Sequence, residues 1–144
     1  MAALVLITRS VPWRRVPLGT IVLAAGLAVV AGGVAATLPH ALSSAGDGGV
    51  RGFGTGVIAA NALNNLPAAL LSVRHVTHVS RVWPLLLGLN LGPSLVITGS
   101  LASLLWQASA RAAGVRIRAG EYSRVGALVG LPAMAAVAML LWLL

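Results

Sequence analysis

The sequence contains no cysteine and no lysine, and Asp47 and Glu121 are its only acidic residues. The absence of cysteine excludes disulfides and thiolate metal sites within this chain. Charged residues make up 8% of the 144 residues, whereas soluble domains carry about 25%. The chain therefore lacks the polar surface that a water-soluble domain needs.

Apolar residues make up 58% of the chain, and its mean hydropathy is +0.96. Four stretches contain no Asp, Glu, Lys or Arg: 16–46, 52–73, 82–110 and 125–144. Each reaches the roughly 20 helical residues that cross a hydrocarbon core about 30 Å thick. The pattern predicts an all-α, multi-pass integral protein of the cell membrane, with residues 1–144 forming a single membrane domain.

The ten basic residues are all arginine and give a net charge of +8. They lie between the apolar stretches, which is typical of the positive-inside rule rather than of nucleic-acid binding. We therefore expect the lipid bilayer, and no nucleic acid, as a partner of the chain.

The first apolar stretch predicts a transmembrane helix over 16–38, flanked by Arg9, Arg14 and Arg15. The pair Arg14-Arg15 before an apolar run also resembles a secretory signal. Whether residues 14–45 are removed as a signal stays open at this point.

Polar residues and helix breakers interrupt two of the apolar stretches. In lipid, such breaks are tolerated only where the backbone faces protein or a polar cavity, as at the substrate sites of transporters with discontinuous helices. Amide and hydroxyl groups at the breaks suit a neutral polyhydroxyl compound or a small oxyanion. The candidate substrate-binding residues are Asn61, Asn64, Asn65 and Pro67 in the first interruption, and Asn90, Gly92, Pro93, Ser94, Thr98 and Ser100 in the second.

The alternative for both interruptions is structural. Asparagine amides also bond membrane helices to one another, and Gly92-Pro93 is typical of a helix kink. Gly88 and Gly92, like Gly126 and Gly130, are spaced four apart, which favours close helix packing.

The distribution of arginine favours one topology. If 52–73 and 82–110 both crossed the membrane completely, the basic connection 111–124 would lie outside, against the positive-inside rule. Re-entry of either stretch places this connection inside, and we favour re-entry at 52–73. A re-entrant helical hairpin over 52–73 places seven arginines inside and three outside. The fold class we expect is about three transmembrane helices plus this hairpin, with spans over 16–38, 82–110 and 125–144, of which 82–110 is discontinuous.

Other chemistries have little support. His75 and His78 have no third ligand nearby in the sequence, and neither acidic residue lies in the middle of an apolar stretch, where a proton carrier is expected. No catalytic triad or phosphate-binding loop is present. We expect no enzyme activity, no cofactor and no metal site, and a proton-coupling carboxylate must lie outside this chain.

Three strings of residues resemble the C-terminal part of arsenical pump membrane proteins in the ion transporter superfamily. They are Asn61-Ala-Leu-Asn-Asn-Leu-Pro67, Leu91-Gly-Pro93 and Gly99-Ser-Leu-Ala-Ser-Leu-Leu-Trp106. The resemblance implies efflux of arsenite or antimonite, driven by proton exchange or by an arsenical ATPase. It also implies a fold of two inverted repeats, each with a hairpin followed by a broken helix.

Two departures from the family pattern matter. Many arsenite pumps have Asp and Lys where this chain has Asn90 and Ser94, and family members are considerably longer. The chain then corresponds to one half of an inverted-repeat transporter, which needs a second repeat or self-association. A non-transporting remnant or small membrane interaction protein is the alternative, and the substrate stays open between arsenite, another metalloid and a dicarboxylate.

Overall fold

A computed structural model describes residues 18–37 and 42–144, and all regular secondary structure in these ranges is helical. The arginines before the first apolar stretch, and with them the signal interpretation, lie outside the described residues. The first helix, α1, spans Leu18–Thr37. Its Val, Leu, Ala and Gly residues agree with the predicted apolar helix over 16–38.

The predicted hairpin region consists of two unequal helices. A 3₁₀ turn at Ser43–Gly46 precedes α2, which spans Gly49–Leu63, and α3 spans Asn65–Ser72. Only Asn64 separates the two helices. With 15 and 8 residues, they extend about 22 Å and 12 Å, and neither reaches across a hydrocarbon core of about 30 Å.

The second interrupted stretch is likewise divided. Helix α4 spans Val79–Leu91 and α5 spans Leu101–Ala112. Between them lie two 3₁₀ turns, Gly92–Ser94 and Ile97–Gly99.

The last helix, α6, spans Ala119–Leu143. It begins six residues before the predicted span, so much of the predicted polar connection 111–124 is already helical. Within the described ranges it is the one helix both long and apolar enough to cross a membrane. The membrane placement of the other helices stays a prediction.

Helices α2 and α4 pack against each other through glycine. A Cβ atom built on Gly56 would lie 2.6 Å from the Leu85 main-chain oxygen, and Gly88 faces the backbone of Phe53 and Val57. Small residues thus allow the two backbones to approach closely. The buried apolar cluster is Ala45, Ala59, Ala60, Ala68, Leu85 and Leu89.

Large apolar side chains remain exposed on the outside of this assembly. Ile58 in α2, Val79 in α4 and Leu128 in α6 are each about 70% exposed or more. A contiguous apolar exterior is unfavourable in water and favourable in lipid. The packing therefore agrees with an integral membrane protein.

Candidate functional site

The first helix break is concentrated at one residue, Asn64. Its backbone has φ 76° and ψ 146°, a conformation that non-glycine residues rarely adopt. The Asn64 side chain is 5% exposed, and its Oδ1 accepts a hydrogen bond of 3.3 Å from the Leu66 N–H. Asn64 therefore ends α2 and caps the N-terminus of α3.

Pro67 lies within α3 rather than at the break. It is the third residue of that helix and is fully buried. The N–H groups of a first helical turn have no partner within the helix, so a proline costs no hydrogen bond there. Pro67 thus supports the start of α3, and the left-handed conformation at Asn64 makes the break.

The second break occupies nine residues, from Gly92 to Ser100. The backbone is extended at Val96 and again at Ser100. Ser100 is 8% exposed, and its Oγ accepts a 3.1 Å hydrogen bond from the Ala102 N–H. Ser100 therefore caps α5 in the same way that Asn64 caps α3.

Two asparagine amides join the first break to the second. Asn61 Nδ2 donates to the main-chain oxygens of Val57 and Gly92, each at 2.8 Å. Asn64 Nδ2 donates to the Thr98 main-chain oxygen at 2.9 Å. The Asn64 amide gives the Thr98 carbonyl, which lies in irregular backbone, a hydrogen-bond partner. The Gly92 carbonyl also accepts a 3.0 Å hydrogen bond from the Leu95 N–H.

Asn61 has a further feature at this junction. Both of its amide protons are used, but the side-chain oxygen Oδ1 is buried and has no hydrogen-bond partner among the described residues. It lies beside Gly99, where an added Cβ would be 3.3 Å away. An unpaired buried acceptor is costly, so Asn61 Oδ1 is an unfavourable feature of this junction.

A groove of about 340 Å³ lies where the two breaks meet. It contains two amides and a hydroxyl, from Asn65, Asn90 and Ser100, between apolar walls. The first residues of α3 and of α5 both line it, so the positive ends of two helix dipoles meet there. The remaining lining residues are Leu66, Ala69, Leu86, Leu89, Leu101 and Ala102.

The two amides of the groove have unused hydrogen-bonding capacity. Asn90 Nδ2 donates to the Leu86 main-chain oxygen at 2.8 Å, which leaves one amide proton and the side-chain oxygen. The Asn65 amide makes no hydrogen bond within the described part of the chain. A few polar groups on apolar walls are typical of small-molecule sites.

The other predicted residues lie near the breaks but outside this groove. Ser94 Oγ donates to the Leu91 main-chain oxygen at 2.7 Å, and Ser94 packs against Gly126 and Gly130 of α6. The main-chain oxygen of Thr98 accepts the hydrogen bond from Asn64, and Gly92 and Pro93 are buried. The structure thus brings Asn65, Asn90 and Ser100 together and places the other seven residues in the surrounding framework.

One part of this framework was missed by the sequence analysis. The Tyr122 hydroxyl donates to the Pro93 main-chain oxygen at 3.1 Å and lies 2.9 Å from Ser103 Oγ. Tyr122 thereby joins α6 to the second break. Its only signal in the sequence is that it is the single tyrosine of the chain.

Comparisons with known proteins agree with one another. A family model described as arsenical pump membrane protein matches residues 4–143. The chain is similar to an arsenical pump membrane protein of Yersinia enterocolitica, with 29% identity over 143 residues. That alignment covers 89% of this chain and 33% of the relative, so the chain spans about a third of the length of the relative. No solved structure matches the chain.

Proposed function

Because the chain belongs to the arsenical pump membrane protein family, we propose that it forms part of a permease that exports arsenite and antimonite. It acts as a transporter and not as an enzyme. The groove between the two helix breaks is the part of the substrate site that this chain supplies.

The observation that carries this proposal is the meeting of Asn65, Asn90 and Ser100 in one groove. Arsenous acid, the neutral form of arsenite, presents three hydroxyl groups that both donate and accept hydrogen bonds. Amide oxygens accept from such hydroxyls, and amide protons and helix N-termini donate to them. The chain has no cysteine, so its part of the site binds arsenous acid through hydrogen bonds and not through thiolates. Such hydrogen bonds permit release of the substrate.

The helix lengths support the membrane arrangement that we propose. Helices α1 and α6 cross the membrane, α2 and α3 form the re-entrant hairpin, and α4 and α5 form one discontinuous span. Their breaks then meet inside the membrane, where irregular backbone must face a cavity or other protein.

A second face of the site must come from elsewhere, because the groove is open and the chain spans a third of its relative. We propose that a second repeat, or a second copy of this chain, supplies it. Asp47 and Glu121 are exposed and lie outside the groove, so a proton-coupling carboxylate or an ATPase partner would belong to that other part.

The alternative is a remnant that inserts into the membrane without transporting. Expression of the chain in an arsenite-sensitive strain, alone and together with the part of the relative that the chain does not cover, distinguishes the two. Transport predicts lower accumulation of arsenic in these cells than in cells with an empty vector. Normal membrane insertion with unchanged accumulation would favour the remnant.

Substitutions in the groove then test the site itself. Asn65→Ala and Asn90→Ala are expected to slow arsenite export several-fold, because each removes a polar group that faces the substrate. Ser109→Ala is the control, since Ser109 is exposed on α5 outside the groove. Equal arsenite export by all three variants would refute the assignment of the site. Export of a dicarboxylate instead of arsenite would show that the proposed substrate is wrong.

A further inference from the structure

A second candidate site lies at the connection between α5 and α6, away from the groove. Arg111, Arg116 and Arg118 line a cavity of about 630 Å³ together with Gly114 and Ile117. The connection is a tight turn in which Gly114 has φ 83° and the Val115 N–H donates to the Ala110 main-chain oxygen at 2.9 Å. This is the usual glycine-dependent end of a helix, and three exposed arginines line the space beside it.

The positive charge of this cavity is not neutralised by nearby acids. In the described ranges, the ion pair within salt-bridge distance is Arg51–Asp47, at 3.9 Å. No carboxylate of those ranges lies within 4.0 Å of a guanidinium nitrogen of Arg111, Arg116 or Arg118. Three arginines without an ion-pair partner in the described ranges suit phosphate, which arginine binds through paired hydrogen bonds.

An apolar cleft of about 350 Å³ adjoins the arginine cavity, and Ile117 lines both. Trp106, Tyr122 and Val125 form much of its surface. Glu121 also lines this cleft and is exposed. The remaining lining residues are Ser94 and Gly126.

The position of the two cavities matches the membrane interface. Helix α6 has 25 residues, which extend about 37 Å and exceed the hydrocarbon core of about 30 Å. Arg116 and Arg118 immediately precede this helix, and the cleft runs along its first turns. With α6 crossing the membrane as proposed above, the two arginines lie at the level of the lipid headgroups.

We propose that these two cavities together bind one anionic phospholipid. The phosphate lies among the three arginines, and an acyl chain lies along Trp106, Ile117 and Val125. A free anion would fill only the first cavity and an apolar molecule only the second, whereas an anionic lipid fills both. Basic pockets beside membrane helices bind anionic headgroups for the same physical reason.

Lipid bound at this position would also contact a residue that is hydrogen-bonded to the second helix break. Tyr122 lines the cleft and donates its hydroxyl hydrogen bond to the Pro93 main-chain oxygen. A bound acyl chain therefore packs against the residue that fixes α6 to the break. The lipid site does not depend on which substrate the groove takes.

Native mass spectrometry of the full chain in a neutral detergent tests this proposal. We expect phosphatidylglycerol to be retained and phosphatidylcholine to be lost under the same conditions. Arg116→Gln/Arg118→Gln is expected to lower the affinity for phosphatidylglycerol at least tenfold, because each arginine near a lipid surface contributes about fivefold. Arg51→Gln/Arg74→Gln changes two exposed arginines, one in α2 and one in the 3₁₀ turn that follows α3. It is the matched control and should change the affinity less than twofold.

A second set of measurements examines the cleft and the identity of the ligand. Val125→Trp fills the cleft at an exposed position and should weaken phosphatidylglycerol binding while leaving the thermal unfolding temperature within a few degrees. Inorganic phosphate at millimolar concentration should fail to displace the lipid.

Four outcomes would overturn the proposal. They are equal retention of the two lipids, an equal loss in the control pair, displacement by inorganic phosphate, and a Val125→Trp variant that keeps the lipid but loses self-association. The last outcome would assign the cleft to a second copy of the chain.

Discussion

The side-chain amide of Asn64 donates a 2.9 Å hydrogen bond to the main-chain oxygen of Thr98, 34 residues further along the chain. The residue that breaks the first helix pair is thereby fixed to the irregular segment that breaks the second. Asn64 also caps α3 through its side-chain oxygen. One side chain thus determines the shape of the first break and its position against the second.

Two substitutions of Asn64 separate the contribution of its hydrogen bonds from the cost of its positive φ. Asn64→Ala removes the cap and the bond to Thr98 and keeps the unfavourable positive φ, so we expect a loss of about 2 kcal/mol. Asn64→Gly removes the same bonds but relieves the backbone strain, and should be about 1 kcal/mol more stable than the alanine variant. Unfolding in mixed detergent micelles measures both. An alanine variant as stable as the glycine variant would mean that the strain at Asn64 is not significant.

The contact between α2 and α4 gives a second prediction. The Cβ of Gly56→Ala would lie 2.6 Å from the Leu85 oxygen and 2.9 Å from the Leu89 nitrogen. Because both are backbone atoms, the helices must separate, which we expect to cost about 2–3 kcal/mol.

Gly54→Ala is the matched control on the same helix, since nothing lies within 4 Å of its added Cβ. Alanine is a better helix former than glycine, so this variant should gain about 0.5–1 kcal/mol. Unfolding curves of the two variants in the same detergent make the comparison. Similar stabilities would contradict the close approach of α2 and α4.

Much of the secondary structure could be predicted from the sequence. The helix breaks fall where asparagine, glycine and proline cluster, because these residues tolerate positive φ or remove a backbone donor. The sequence does not show which side chain at a break meets which carbonyl. The bonds from Asn61 to Gly92 and from Asn64 to Thr98 depend on the register between α2 and α4, which glycine packing sets.

The same limit applies to the candidate site. Ten polar or turn-forming residues were predicted from their position at the two interruptions, and the structure divides them into groove and framework. Ser94 shows why, since a polar residue beside a break can pack against Gly126 as readily as it can face a cavity. The arginine-lined cavity could not be predicted from the sequence either. Arg111, Arg116 and Arg118 are separated along the chain, and the turn at Gly114 brings them to one cavity.

The hydroxyl of Tyr122 provides a third prediction. Tyr122→Phe leaves the Pro93 oxygen without its side-chain donor and should cost about 1–2 kcal/mol. Ser103→Ala removes only the contact with the tyrosine hydroxyl and should cost about half as much. Thermal unfolding of the single and double variants gives the comparison. A larger loss from Ser103→Ala than from Tyr122→Phe would show that Tyr122 is not the residue that holds the break.

The absence of native cysteine permits a direct test of the groove. Ala102 lines it, whereas Ala108 lies outside it, and both are exposed on α5. Single Ala102→Cys and Ala108→Cys variants therefore carry the same thiol on the same helix, inside and outside the proposed site.

The most direct measurement is the rate at which a maleimide labels these two cysteines in membranes, with and without arsenite. The proposed function predicts that arsenite slows labelling of Ala102→Cys several-fold and leaves labelling of Ala108→Cys unchanged. If arsenite leaves the labelling rate of Ala102→Cys unchanged, or slows both variants equally, the result would contradict a substrate site between the two helix breaks.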